Sequence, residues 1–225
     1  MKKEVRTLIG IGLVIVVVGV IGTMMYRQSA APAVQPGPGA PAVSEAMVHP
    51  DSPTLGPADA KVTVVEFLDP ECEACAAFNP TVKGILKEFD GQVRFVVRYM
   101  PFHGNARLAA SYLEASAEQG KYWEYMDKML AGQSQWGEIH GAPQPVNRPD
   151  PKVLFEQWGG ELGMNVEQLR ASAGKKEHIE KIERDFADGR SLGVRRTPTI
   201  FVNGKELFRL NANDLRSMIA AELKR

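Results

Sequence analysis

An α/β domain carried behind one membrane-spanning helix is the architecture this sequence predicts, and three observations predict it. Leu8 to Tyr26 is an uncharged, apolar run preceded by Lys2, Lys3 and Arg6. From Val62 onward, short runs of β-branched and aromatic residues are separated by segments with apolar residues at helical spacings. The chain closes on Asn203-Gly204 between two apolar runs, a hairpin signal, followed by one more amphipathic segment.

Residues 1–7 read as a cytoplasmic tail and 8–26 as a transmembrane anchor. As a helix, the run would span about 28 Å, near the hydrocarbon thickness of a bilayer. A cleavable signal peptide is the alternative, with Ser29-Ala30-Ala31 as a cleavage region. The apolar part of such peptides is usually only ~7–15 residues. Three basic residues before the span against Arg27 after it place the N-terminus inside. The remainder then lies in the periplasm or outside the cell, where disulfides persist. Residues 27–54 hold six Pro and six Ala without periodicity, and read as an extended linker. With 27 basic and 27 acidic residues and no basic stripe, the chain offers no nucleic-acid surface.

Val62–Leu68 is a strand: uniformly apolar but for Thr63 and Glu66, and bounded by Asp69-Pro70. The chain's two cysteines follow as Cys72-Glu73-Ala74-Cys75 and open a helix over Cys72–Phe89, with Phe78, Val82, Ile85, Leu86 and Phe89 inward and Pro80 inside it. A thiol at a helix N-terminus meets unpaired N–H groups and the positive end of the macrodipole, so its thiolate is favoured. A second thiol one turn on can resolve a mixed disulfide. A zinc site needs two further ligands, and His49, His103, His140 and His178 lack the spacing to supply them. No metal and no cofactor are therefore expected. Val93–Tyr99 is the next strand. Helical stretches follow at Asn105–Gln119, Tyr122–Ala131, Pro151–Trp158, Val166–Ala173 and Lys176–Leu192, the last with Ile179, Ile182 and Phe186 on one face. Thr199–Val202 and Glu206–Arg209 form the hairpin, and Asn211 caps a helix burying Leu215, Met218, Ile219 and Leu223. Trp123, Trp136 and Trp158 read as packing residues. Gly132–Asp150, with Trp136 and His140, reads as a partner-contact loop without an element of its own.

Strand, dithiol helix, strand, helical block, hairpin, helix: this order resembles the thioredoxin superfamily in its DsbA-like branch. The carriers are Val64-Val65-Glu66-Phe67 before the dithiol, Tyr99-Met100-Pro101-Phe102, Tyr122-Trp123-Glu124-Tyr125-Met126-Asp127, and Thr197-Pro198-Thr199-Ile200-Phe201-Val202-Asn203-Gly204. The resemblance covers residues 55–225 and implies a thioredoxin-like fold with a helical insertion at about 104–190, beside the dithiol. It implies that Cys72 attacks and Cys75 resolves. It makes Pro198 a cis-proline, and Thr197 a backbone edge that grips an extended substrate. Glu66, six residues before Cys72, becomes the acid beneath the dithiol, exchanging a proton with Cys75.

One departure concerns direction. DsbA-like oxidants commonly carry Pro-His between the cysteines; here Glu73 puts a negative charge beside Cys72, which predicts a weaker oxidant. Oxidation, reduction and isomerisation all stay open, although residues 27–54 are too polar and Pro-rich for the dimerisation domain of a dimeric isomerase, so a monomer is expected. The function read from the sequence is a membrane-anchored thiol–disulfide oxidoreductase. Its expected partners are exported cysteine-containing proteins and a membrane redox partner. A tethered chaperone or a thiolate metal-binding protein on the same fold is the alternative.

Overall fold

The computed structural model describes residues 44, 46–141, 143 and 146–225. The expected span at 8–26 and most of the expected linker lie outside them. Among the described residues, no helix is long and apolar enough to cross a membrane.

A five-stranded sheet organises the domain, in the order β1-β3-β2-β4-β5. Its strands are β1 (Thr54–Leu55), β2 (Val62–Leu68), β3 (Val93–Tyr99), β4 (Thr199–Val202) and β5 (Lys205–Glu206). β2 pairs in parallel with β3, Glu66 opposite Val97, and antiparallel with β4, Glu66 opposite Ile200. Every residue of β2 is buried, as its near-continuous apolar run requires of a strand covered on both faces. Alternation splits the core in two. Val62, Val64, Leu68, Val97 and Ile200 face α1 (Glu73–Glu88), α8 (Ala212–Leu223) and the helical insertion. Val65, Phe67, Val96 and Phe201 face the other side, with Met100 and Val194.

The insertion comprises α2 (Ala106–Ala117), α3 (Tyr122–Ala131), α4 (Gln133–Trp136), α5 (Pro151–Glu161), α6 (Val166–Ala173) and α7 (Lys176–Ser191). Caps fix three helix starts: the side chains of Asp150, Asn165 and Asn211 accept from the N–H groups of Lys152, Gln168 and Asp214.

Several expectations need correction. Residues 46–54 are not free linker. Met47 joins the second core, Ala46 O accepts from Arg98 Nη1 at 2.8 Å, and Thr54 pairs with Val96. A composition poor in large side chains hid the one methionine that anchors this segment. α5 runs past Trp158 to Glu161 despite Gly159-Gly160, because a Cβ at Gly159 would come within 2.4 Å of Leu169 Cδ2 on α6; the glycine serves close packing. β5 starts at Lys205 and stops at Glu206, not 206–209. Beyond Leu207, whose N–H bonds Ile200 O, the hairpin register runs toward Pro198, which has no N–H to offer. Trp136 lies buried in α4, within the stretch expected to lack an element. On α7, Ile182 is buried but Ile179 is exposed.

Candidate active site

The end of β2 and the start of α1 set the dithiol in place. Cys72 is the N-cap of α1, with extended backbone (ψ 123°), and Ala76 N–H bonds Cys72 O at 3.0 Å. Cys72 keeps 8% of its surface in solvent and Cys75 none. The two are not joined by a disulfide, and Cys72 Sγ lies 3.4 Å from Thr197 O. The Thr197–Pro198 peptide bond is cis.

The two sulfurs are driven apart electrostatically. Cys72 is held down at about 5, first by the hydrogen bond from Cys75, against the opposing effect of burial. The Thr197 side chain and the N–H groups of Cys75 and Ala74 add to it. Burial pushes Cys75 well above the ordinary thiol range, and the charge on Cys72 and the presence of Glu66 reinforce the shift. Glu66 is 3% exposed and on the sheet face toward α1; burial, then the negative Cys72, raise it to about 8. A cysteine poised as a thiolate, a buried thiol that keeps its proton and a carboxyl that is protonated at neutral pH thus stand together.

Beneath Cys72 lies a carboxylate framework that sequence reasoning missed. Asp69, wholly buried, accepts from Glu71 N–H (2.8 Å), Phe102 N–H (2.7 Å), His103 N–H (3.1 Å) and shares 2.6 Å with His103 Nδ1. Its carbonyl accepts from Cys72 N–H at 3.1 Å, and its own N–H serves the Cys75 sulfur. Glu71, also buried, accepts from Asn105 N–H (2.5 Å), Asn105 Nδ2 (3.1 Å) and Glu138 N–H (3.1 Å), while its carbonyl accepts from Gln133 Nε2 at 2.6 Å. Asp69-Pro70-Glu71 reads in sequence as a strand-ending turn; the available signal was two acids immediately before a dithiol.

Glu73 does not stand alone beside Cys72 as the sequence suggested. Its Oε2 lies 3.1 Å from His140 Nδ1, and the hydrogen bonds that Cys72 accepts hold its thiol low with Glu73 beside it.

The Thioredoxin family model matches residues 49–221. The chain is 29% identical to disulfide bond formation protein D of Bacillus subtilis over 182 residues, 76% of this chain and 77% of that protein. It is 33% identical over 168 residues to a Na(+)/H(+) antiporter NhaA of Herminiimonas arsenicoxydans, covering 74% of this chain. It spans only 25% of that antiporter's length, and similarly small shares of two Salinispora antiporters. Among solved structures, oxidised BdbD of Bacillus subtilis superposes with a TM-score of 0.66 at 27% identity, over 77% of this chain and 94% of that one. The α-DsbA1 of Wolbachia pipientis, at 15% identity and a TM-score of 0.67 over 79% and 94%, shares the fold. The chain belongs to the thioredoxin family, and over most of its described residues it is similar to proteins of the DsbA-like branch.

Proposed function

We propose that this protein is a membrane-anchored, outward-facing thiol–disulfide oxidoreductase that donates disulfides to cysteines of exported proteins. The observation that carries the reading is the separation of the two sulfurs: Cys72 held at about 5 while Cys75 is pushed up. A stabilised thiolate stabilises the reduced form, which makes the oxidised form a stronger oxidant.

In the donating direction a substrate thiolate attacks Cys72 Sγ of the Cys72–Cys75 disulfide. The S–S bond breaks and Cys75 leaves with the electron pair, taking a proton from Glu66. A second substrate thiolate then attacks the substrate sulfur of the mixed disulfide and expels Cys72 as a thiolate, a good leaving group at about 5. The substrate is oxidised by two electrons, the dithiol is reduced, and a membrane redox partner takes those electrons to restore the disulfide. Thr197 and Pro198 hold the substrate as an extended strand beside Cys72. Residues 8–26 anchor the chain, and their flanking charges support an inside N-terminus.

The test mixes the oxidised full-length chain, in detergent, with a reduced, unfolded disulfide protein and counts thiols. One substrate disulfide per dithiol is expected. Absence of transfer, with a soft metal ion retained through purification, would favour the thiolate metal-binding alternative instead. For the anchor, fractionation with membranes is expected, and a mature N-terminus near residue 31 would overturn it.

A further inference from the structure

Two histidines meet beside the dithiol and belong to neither of the roles above. His103 follows β3 and His140 precedes α5, yet their rings lie 5.3 Å apart, centroid to centroid, at 79°. His103 is anchored through Nδ1 to Asp69 Oδ2 at 2.6 Å, and Asp69 O takes the Cys72 N–H, so ring and reacting residue hang on one buried turn. His140 is tied to Glu73, the first residue of α1, through both Nδ1 and its backbone N–H. The Glu73-Ala74 dipeptide supplies no cation of its own. Around His103 stand Asp69, Glu71 and Cys72 from the turn, Arg107 from α2, which bonds Pro101 O, and His140 with its partner Glu73.

We propose that His103, fixed by Asp69, supplies the positive charge that stabilises the Cys72 thiolate, in place of any cation between the cysteines. Burial disfavours the imidazolium, but the hydrogen bond and charge of Asp69, with Cys72 and Glu71, hold His103 above the ordinary histidine range. The attraction is reciprocal: whatever the thiolate does for the imidazolium, the imidazolium does for the thiolate. His103 acts on Cys72 without exchanging atoms with the substrate, so it is a positioning residue for charge. The inference rests on the disulfide-exchange reading for its consequence and not for its physics.

The test separates charge from hydrogen bonding. His103→Gln keeps a donor for Asp69 and removes the charge; His103→Lys keeps both. In the reduced full-length chain, titration of thiolate absorbance should show the Cys72 pKa rising by about one unit in the Gln variant. It should stay near wild type in the Lys variant. Equilibration with glutathione buffers at pH 7 should then find the Gln variant about tenfold less oxidising, or about 30 mV. An unmoved pKa in His103→Gln, or an equal rise in His103→Lys, overturns the proposal and leaves disulfide exchange standing. A wild-type chain that transfers no disulfide, yet whose thiol responds to residue 103 as described, supports the charge assignment and counts against the proposed function. The unsubstituted protein gives an independent reading: the His103 ring protons should titrate at lower pH in the oxidised than in the reduced form. Equal midpoints in the two forms overturn the proposal.

Discussion

Reducing the dithiol should change how stability depends on pH, with a sign that the site dictates. The Cys72 thiol falls from 9.0 to about 5 on folding. Between those values the unfolded chain holds a proton that the native reduced chain does not, so stability rises with pH. That contribution is complete only above 9 and is lost as pH falls through 5. Glu66 acts oppositely. Raised from 4.5 to about 8, it keeps a proton in the native state that the unfolded chain has released, so stability falls with pH across that window. In the reduced protein the two slopes nearly cancel from 5 to 8. In the oxidised protein Cys72 cannot titrate, and Glu66, raised chiefly by burial, acts alone. The gap between the forms should therefore widen in favour of the reduced one by about 1.4 kcal/mol per pH unit, or about 3 kcal/mol from pH 5 to pH 7. Urea unfolding of both forms at pH 5, 6 and 7 measures it. The pH-independent stabilisation that the disulfide itself provides drops out of the comparison. Parallel pH dependence in the two forms would refute the thiolate assignment.

Cys75→Ser should trap mixed disulfides through Cys72, and mildly acidic alkylation of the wild type should label Cys72 first; labelling of Cys75 first would reverse the roles. Glu66→Gln should slow the step in which Cys75 leaves or attacks by about tenfold or more, while initial attack at Cys72 is little changed. Stopped-flow with a fluorescent disulfide peptide resolves the two steps, and equal slowing of both would remove Glu66 from proton transfer. Arg98→Met should cost about 3–5 kcal/mol of unfolding free energy, because it leaves Asp185 buried without the guanidinium 2.9 Å away. Denaturant unfolding checks it, and a loss under about 1 kcal/mol would mean that the pair contributes no more than a surface ion pair.

Periodicity and punctuation made most of the scaffold legible. β2 and β3 announce themselves by uninterrupted β-branched runs, and Asn203-Gly204 can hardly be anything but a tight hairpin, since φ is +46° and +80° there. The start of α8 follows from the capping chemistry of Asn211. Cys72, Cys75 and Glu66 stand out as candidates in the sequence because they sit on one strand and at the start of the helix that follows it. What stayed hidden depends on contacts between distant segments. Asp69 looks like punctuation until the loop after β3 folds onto it, 33 residues away along the chain. Glu73 looks like an isolated charge until His140 arrives from 67 residues further on. Residues 46–54 look like linker because no composition rule reveals that Arg98, wholly buried, needs Ala46 O.

The hub at Asp69 also gives the protein a built-in clock for amide exchange. The N–H groups of Glu71, Phe102 and His103 all end on its carboxylate, and none can meet deuterated solvent unless that turn lets go. The same release would withdraw the Asp69 N–H from the Cys75 sulfur. Deuterium uptake at these three positions therefore counts the openings through which the Cys75 sulfur is uncovered, one residue's exchange standing as a record of the other's exposure.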